Sequence, residues 1–238
     1  MNGWADALLR RGPEGRRLRA LRRVRPGPLA DHLATPLPDR DTPLDRLPLL
    51  AVDLETTGLD PRRDRILSIG WVPVDGGEVR LGGAGRVVVR DGGADGVGQS
   101  AAVHGITDDD LVHGTAPEDA VGALLGALAG RVLLAHFAAV ETGFLGAACR
   151  RSWGVEPPFV VVDTLELERR ALVRADRRHA EPGALRLATA RARRGLPPYP
   201  LHEALTDALA CAELYLAQRA ELEHTTPETT LTLRQVVA

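Results

Sequence analysis

A short apolar run that ends in two acids is the feature that most constrains the fold. Residues 49–52, Leu-Leu-Ala-Val, lead directly into Asp53, and Glu55 follows two positions later. An uninterrupted apolar run of this length is typical of a strand that is buried on both faces. Because side chains alternate along a strand, Asp53 and Glu55 share one face while Leu54 lies on the other. The pattern predicts a buried strand with two carboxylates at its carboxyl end.

The segments that follow this strand predict a mixed α/β domain. A second strand over 66–74 and a third at about 78–90 flank the tight turn Asp75-Gly76-Gly77, which indicates an antiparallel hairpin. Beyond residue 115 the pattern alternates between strands and helices, which favours a central mixed sheet with helices on its faces. We predict strands over 132–136 and 159–162 and helices over 116–128, 140–150, 164–174, 183–193 and 203–223.

Composition divides the 238 residues into three predicted parts. Residues 1–47 form an extension, in which an arginine-rich helical stretch over 1–25 precedes a linker with six prolines over 26–48. Residues 48–224 form the predicted globular domain, and residues 225–238 form a polar, loosely held tail. The chain has neither a membrane-length apolar run nor a secretory signal pattern. We therefore expect a cytoplasmic protein that makes no contact with a membrane.

The residue types that the chain lacks exclude several classes of enzyme. All 30 basic residues are arginine, so a P-loop, a pyridoxal Schiff base and a lysine nucleophile are excluded. None of the three serines lies in a G-x-S-x-G elbow. His202-Glu203 begins like the zinc motif H-E-x-x-H, but Thr206 replaces the second histidine. The chain is rich instead in carboxylates, with 32 Asp and Glu and a net charge of −2.

The charge is unevenly distributed along the chain. Residues 1–46 carry ten arginines and six acids, so the rest of the chain has a net charge of −6. An acidic body is unusual for a protein that simply coats nucleic acid. It suits an enzyme whose carboxylates hold metal ions, because bound cations restore the local charge. The arginines of residues 1–25 either follow a phosphate backbone or form an ordinary solvated helix.

Three further residues could join Asp53 and Glu55 at one edge of the sheet. Glu141 is predicted in the first turn of one helix, Asp207 in the first turns of another, and His202 on the loop just before it. Carboxylates are the ligands that Mg²⁺ and Mn²⁺ prefer, and a nearby histidine can accept a proton near neutral pH. Taken singly, each is equally an ordinary helix-start acid or a surface histidine. Spacing alone therefore suggests metal-assisted hydrolysis without naming a substrate.

Four segments resemble the DnaQ-like 3′–5′ exonucleases of the DEDDh group. AVDLETTGLD (51–60), LLAHFAAVETGFL (133–145) and LHEALTDALA (201–210) are similar to the three motifs of that family, in the same order. VHGITDDDL (103–111) is similar to a segment of the epsilon proofreading chain of bacterial DNA polymerase III. The resemblance covers about residues 48–222. It implies an RNase H-like fold and the release of nucleoside 5′-monophosphates from a 3′ end, with single-stranded DNA as the expected substrate.

The resemblance also implies a role for each matching residue. Asp53 would bridge two divalent ions, Mg²⁺ or Mn²⁺, and Glu55 and Asp207 would help to hold the ion on the side of the attacking water. Glu141 would serve the second ion, and His202 would be the general base. Two ions can stabilise both the attacking and the leaving oxygen of an in-line displacement. The backbone around Thr57, Gly58 and Leu59 would meet the terminal nucleotide, with Leu59 against the base, and His104 would lie near the substrate.

The second motif departs from the family pattern H-N-A-x-F-D at three positions. Phe137 replaces the asparagine, Val140 the phenylalanine and Glu141 the aspartate. Glutamate keeps the carboxylate but is one methylene longer, so the geometry of the site must adjust. Two alternatives stay open: a weakly active module associated with nucleic acid or a polymerase, and an RNA-directed exonuclease of the same family. A DNA polymerase is a candidate partner, and the sequence leaves the oligomeric state open.

Overall fold

The computed structural model describes residues 12–90, 105–175, 182–200 and 202–238. Its strands are β1 (Pro48–Thr56), β2 (Ile66–Asp75), β3 (Glu78–Val79), β4 (Gly85–Val88), β5 (Val132–Ala135) and β6 (Val161–Asp163). Its helices are α1 (Pro13–Leu21), α2 (Pro28–Ala34), α3 (Asp108–Val112), α4 (Pro117–Leu128), α5 (Ala139–Trp153), α6 (Thr164–Arg174), α7 (Leu187–Arg193), α8 (Ala204–Thr225) and α9 (Leu233–Val236). None of these helices combines the length and the apolarity that a membrane crossing needs.

The strands form one mixed sheet with β1 at its centre. The order is β3-β2-β1-β5-β6, and β4 also pairs with β2. β1 and β2 pair antiparallel, whereas β5 and β6 run parallel to β1. This arrangement confirms the predicted mixed α/β architecture with an antiparallel opening hairpin. The third predicted strand is divided into β3 and β4 by a 3₁₀ turn, Leu81–Gly83.

The two faces of β1 pack into separate apolar clusters. Leu50, Val52 and Leu54 belong to one cluster with side chains of α4 and α5. Leu49 and Ala51 belong to the other, which includes side chains of α8. Strand alternation places Asp53 and Glu55 on the same face as Leu49 and Ala51, so the two acids face α8.

The segment predicted to be a proline-rich linker is packed structure in this protein. α2 lies against α4, with His32 Nδ1 3.3 Å from the Leu125 carbonyl oxygen. Leu29 and Leu33 are buried in the core. The linker prediction is wrong here because Pro28 occupies the first turn of a helix, where its missing N–H costs nothing. Residues four apart, such as Leu29 and Leu33, then form one apolar face.

The carboxyl-terminal segment is also held more firmly than predicted. Leu231, Leu233 and Val236 are buried in the cluster that α8 covers. Val237 pairs with Val162 at the edge of the sheet, and the Ala238 N–H donates to the Val161 carbonyl oxygen over 3.0 Å. The prediction of a loosely held tail is therefore wrong, because a polar composition masked three apolar anchors.

Candidate active site

Asp53 and Glu55 lie at the carboxyl end of β1, next to the start of α8. Asp53 is opposite Gly70 of β2 in the antiparallel register. A Cβ atom on Gly70 would lie only 2.2 Å from the carbonyl carbon of Ala204, the first residue of α8. The absence of a side chain at position 70 lets α8 begin directly on the sheet. Asp207, in the first turn of α8, is thereby held beside the two acids of β1.

Three of the predicted carboxylates converge on one point. One oxygen from each of Asp53, Glu55 and Asp207 can be chosen so that all three lie within 4.8 Å of one another. Glu55 is buried and Asp207 is partly buried. Like charges at this separation repel unless they are protonated or share a cation. This arrangement is the geometry that a divalent cation with oxygen ligands requires.

The fourth carboxylate, Glu141, lies in the first turn of α5 and faces the same group. Its side chain is buried, and within the described residues its Oε2 atom has no hydrogen-bond partner. The charge of Glu141 is the largest of the neighbouring charges that raise the pKa of Asp53. Glu141 is not one of the three acids within 4.8 Å of one another. It therefore occupies a separate position on the rim of the cluster.

The electrostatics of the metal-free site favour protonated acids. Burial, then the charges of Glu141, Glu55 and Asp207, raise the pKa of Asp53 well above its usual value. Burial and Asp207 raise the pKa of Glu55 to about 7. Burial, with a smaller contribution from Asp163, raises the pKa of Glu141 to about 8. Groups shifted in this way and gathered in one cleft are characteristic of functional sites.

His202 is attached directly to this cluster through its backbone. Its N–H donates to Asp207 Oδ2 over 2.9 Å, and its φ angle of 68° lies in the left-handed region. This conformation is uncommon for a residue with a side chain. It leaves the His202 side chain exposed at the rim of the acidic cluster. The predicted histidine is therefore beside the predicted acids.

The loop that carries His202 is anchored by a buried arginine. Arg191 of α7 is 3% exposed and donates to the carbonyl oxygen of Pro197 in the loop over 2.9 Å. Its guanidinium lies 4.7 Å from the ring centre of Tyr199 and pairs with Glu213 of α8 at 2.8 Å. The Tyr199 hydroxyl donates to the other oxygen of Glu213 over 2.9 Å. The loop is thus fixed to α7 and α8 just before His202.

Glu203 is a fifth acid that the sequence analysis did not assign to the site. It caps the amino terminus of α8 by accepting from the backbone N–H groups of Leu205 and Thr206. It also pairs with Arg86 of β4 at 2.8 Å, and its charge contributes to raising the pKa values of Asp53, Glu55 and Asp207. Its place immediately before an apolar helix was the available signal for a cap.

Asp163 is a second residue that the sequence analysis missed. Its carboxylate accepts from the backbone N–H groups of Phe137 and Ala138, each over 3.0 Å, and caps α6 through Leu165 N–H. These bonds hold Phe137 at a φ of 71°. They fix the loop that leads into Glu141. An aspartate between a strand and a helix is a recognisable cap, but its bonds to residues 26 positions earlier could not be seen in the sequence.

The predicted nucleotide-contacting loop follows β1 directly. Thr57 Oγ1 donates to Asp64 Oδ1 over 3.1 Å, and the Thr57 N–H donates to the Arg65 carbonyl oxygen over 3.0 Å. Gly58 lies against Asp64, where a Cβ atom would come within 2.5 Å of Oδ2. Leu59 is 79% exposed, so it is accessible to a ligand. His104 lies outside the described residues.

Comparisons with known proteins agree with this geometry. The family model RNase_T, described as Exonuclease, matches residues 50–215. A DNA polymerase III PolC-type from Thermotoga maritima is 28% identical over 172 residues, which are 70% of this chain and 11% of that protein. Its counterpart from Thermotoga petrophila is 27% identical over 181 residues, which are 74% of this chain and 12% of that protein. The chain therefore spans about a ninth of the length of these relatives.

Solved structures share the fold at low sequence identity. The nuclease domain of 3′hExo, a DEDDh family member bound to rAMP, superposes with a TM-score of 0.61 and 14% identity, over 73% of this chain and 92% of that chain. E. coli exonuclease I in complex with a dT13 oligonucleotide superposes with a TM-score of 0.61 and 15% identity, over 76% of this chain and 42% of that chain. These likenesses confirm the RNase H-like fold. Because the Exonuclease model covers well over half of the sequence, this chain belongs to the exonuclease family.

Proposed function

We propose that this protein is a metal-dependent 3′–5′ exonuclease that shortens single-stranded DNA and releases nucleoside 5′-monophosphates. The convergence of Asp53, Glu55 and Asp207, each with a carboxylate oxygen within 4.8 Å of the others, is the observation that carries the proposal. The PolC-type relatives and the DNA complex of the exonuclease I neighbour support DNA as the substrate. A DNA polymerase is the proposed partner on the same ground.

The carboxylates present fit divalent cations. Asp207 Oδ1 and Glu141 Oε2 are buried and have no hydrogen-bond partner within the described residues. A buried carboxylate oxygen without a partner is costly, and a cation would satisfy it. Asp53, Glu55 and Asp207 would hold one Mg²⁺ or Mn²⁺, and Asp53 and Glu141 a second. Bound ions of this kind supply Lewis acidity, which lowers the pKa of water and neutralises charge on a phosphate.

His202 is the proposed general base. Its side chain is exposed at the rim of the acidic cluster, where it can accept the proton of the attacking water. The bond from His202 N–H to Asp207 Oδ2 fixes the backbone at this position. The Arg191–Tyr199–Glu213 contacts keep the loop in place while the proton moves. A positioned base of this type contributes roughly 10²- to 10⁴-fold to the rate.

The loop after β1 is the proposed site of the terminal nucleotide. Leu59 offers an exposed apolar side chain for the base, and the backbone around Thr57 and Gly58 is held by Asp64 and Arg65. A rigid backbone beside the acids would place the terminal phosphodiester over Asp53. His104 is proposed to lie near the substrate on the resemblance of its segment alone.

RNA is the second candidate substrate. The 3′hExo neighbour is bound to rAMP, and another neighbour is a 3′-exonuclease that recognises a histone mRNA stem-loop. Digestion of matched DNA and RNA oligomers side by side would decide between them. Faster loss of the DNA oligomer at equal Mg²⁺ is expected, and faster loss of the RNA oligomer would favour the second candidate.

Removal of one carboxylate tests the proposed site. We expect Asp207→Asn to lower the release of mononucleotides from a 5′-labelled oligomer by about 10³-fold or more, since one oxygen ligand and its charge are lost. Asp119→Asn is the matched control, because Asp119 is an exposed acid in the first turn of α4. Thermal unfolding with and without Mn²⁺ should show an ion-dependent rise in Tm for the wild type and the control only. Full activity of Asp207→Asn would refute the site, and shortening from the 5′ end would refute the polarity.

A further inference from the structure

A groove lies beside β6 at the edge of the sheet, between the start of α5 and α1. The cavity has a volume of about 540 Å³. One end is formed by Ala138 and Asp163, on the loop and strand that position Glu141. The other end is lined by Arg16 of α1 and by Arg40. The groove therefore includes the segment that positions Glu141 as well as two arginines.

The arginines that border the groove are available to an anion. Arg16 and Arg40 are exposed, and within the described parts of the chain neither guanidinium has an ion-pair partner. Residues 13–25 contain six arginines and a single acid, Glu14. Glu14 is neutralised by Arg17 at 2.5 Å. The exposed arginines of this segment are Arg16, Arg19, Arg22, Arg23 and Arg25.

The basic helix is fixed to the globular body. Arg17 is buried and donates to the Leu33 carbonyl oxygen of α2. Ala20 belongs to the apolar core, and the Arg25 N–H donates to the Trp153 carbonyl oxygen of α5 over 3.4 Å. The cations of α1 are therefore held in a defined place relative to the active site, as a binding surface requires.

The acids near the groove are already engaged. Asp163 accepts three backbone N–H groups, and Glu156 pairs with Arg150 at 3.4 Å. Their charges are thus partly balanced before any ligand arrives. Arg16 and Arg40 are the cations among the residues that line the groove, which also include Asp163 and Glu156.

We propose that this groove, with Arg16, Arg40 and the exposed face of α1, binds the phosphate backbone of single-stranded nucleic acid upstream of the terminal nucleotide. The inference rests on the proposed exonuclease function and deepens it. Arg16, Arg40 and α1 all precede residues 50–215, the region that the family model matches. A polyanion fits because its phosphates need no sequence-specific contact and each arginine can bind one. A strand that enters the active site would pass the groove at the α5 end.

Substitution of the two groove arginines tests this proposal. In Arg16→Gln/Arg40→Gln, we expect the Kd for a fluorescent oligomer of about a dozen nucleotides to rise roughly three- to ten-fold in EDTA, with a smaller dependence of log Kd on log salt. The matched control is Arg46→Gln/Arg174→Gln. Arg46 precedes β1 and Arg174 ends α6, so both exposed residues lie at the opposite end of the sheet from the acids.

Cleavage of short substrates separates a binding defect from a damaged site. With Mn²⁺, the double variant should hydrolyse a dinucleotide with unchanged kcat and KM, but KM for the longer oligomer should rise. An unchanged Kd for the longer oligomer would overturn the proposal and favour a protein occupant. An equal loss on both substrates would also overturn it, as a structural effect. If the wild type cleaved nothing, the proposed function would fail, whereas the binding measurement in EDTA would still test the groove.

Discussion

At the scale of single residues, Glu141 is the position where this chain departs most from its family's pattern. The side chain of Glu141 is buried, and Glu141 is not one of the three acids whose oxygens lie within 4.8 Å of one another. Glu141 lies in the first turn of α5. The loop before this helix is fixed by hydrogen bonds from the N–H groups of Phe137 and Ala138 to the carboxylate of Asp163. The extra methylene of Glu141 therefore extends from a backbone that these hydrogen bonds hold in place.

We predict that Glu141→Asp lowers the turnover of single-stranded DNA. The carboxylate would retreat by about one bond length, and a misplacement of about 1 Å costs on the order of 10²-fold in rate. Glu141→Gln should lose more, because it also removes the charge. Initial rates of mononucleotide release with saturating Mn²⁺ would measure both effects. Equal or faster turnover of Glu141→Asp would show that the site is not fitted to glutamate.

The sequence revealed some site residues and concealed others for physical reasons. Asp53 and Glu55 were predictable because strand alternation puts them on one face. Asp207 and His202 needed the family resemblance, since their approach to Asp53 depends on where α8 meets the sheet. Glu203 and Asp163 were missed because they act by capping and by bonds to distant backbone groups. Such contacts depend on tertiary structure and leave little trace in local sequence.

At the scale of elements, the loop before His202 is held by the contacts of one buried arginine. Arg191 lies between the Pro197 carbonyl oxygen, the Tyr199 ring and Glu213. Tyr199 takes part through its ring, which lies against Arg191, and through its hydroxyl, which donates to Glu213. The ring and the hydroxyl can be removed separately, so the element can be tested without touching any carboxylate.

We predict that Tyr199→Ala lowers kcat by roughly ten-fold or more while KM changes little, because the proposed base is displaced rather than the nucleotide. Tyr199→Phe keeps the ring over Arg191 and should retain most of the activity. The rise in Tm with Mn²⁺ should be the same in both variants and in the wild type. A parallel loss of kcat and of the ion-dependent Tm rise would indicate a structural effect on the acids instead.

The helix α2 offers a second test at this scale. We predict that Leu33→Ala lowers the free energy of unfolding by about 2–4 kcal/mol, because Leu33 is 1% exposed and its removal leaves a cavity. Leu18→Ala in α1 is the matched control, since Leu18 is 41% exposed and should cost less than about 0.5 kcal/mol. Urea denaturation of the whole chain would measure both values. A negligible effect of Leu33→Ala would restore the linker interpretation.

At the scale of the whole molecule, the buried acids couple stability to pH and to metal ions. The folded pKa values of Glu55 and Glu141 are about 7 and about 8, well above the usual 4.5. Between about pH 4.5 and pH 8, the folded protein without a bound metal ion therefore binds more protons than the unfolded chain. The stabilising contribution is complete below about pH 4.5 and is lost as the pH rises through 7 and 8. Buried His32 and partly buried His136 have lowered pKa values and give the opposite slope, mostly below pH 7.

We predict that the free energy of unfolding in EDTA falls by about 1 kcal/mol between pH 7 and pH 8. Saturating Mn²⁺ should reduce this fall, because a cation favours the ionised acids and binds only to the folded state. Glu141→Gln should reduce the fall in the free energy of unfolding even in EDTA, since this variant lacks one of the titrating carboxyl groups. Urea titrations at the two pH values would provide the measurement. A rise between pH 7 and pH 8 in EDTA would contradict the assigned proton balance.

Whether an element of the fold could be predicted depends on how far apart in the sequence its contacting residues are. The hairpin of β2 and β3 and the strand–helix alternation after residue 115 were predictable, because both depend on local sequence signals. The packing of α2 on α4 and of residues 231–237 on the sheet was not predictable from local pattern. Prolines and polar residues dominate those segments, and a few buried side chains tie them to the core: Leu29, Leu33, Leu231, Leu233 and Val236.

The close approach of Gly70 to Ala204 has a consequence for relatives of this protein. Alanine at position 70 would add a single methyl group, yet the start of α8 would have to move away from β2. Asp207 and His202 would move with it, while Asp53 and Glu55 stayed on the sheet. A homologue could therefore become catalytically silent with all of its acids intact. A census of degenerate nucleases that inspects the acidic positions alone would count such a protein as active.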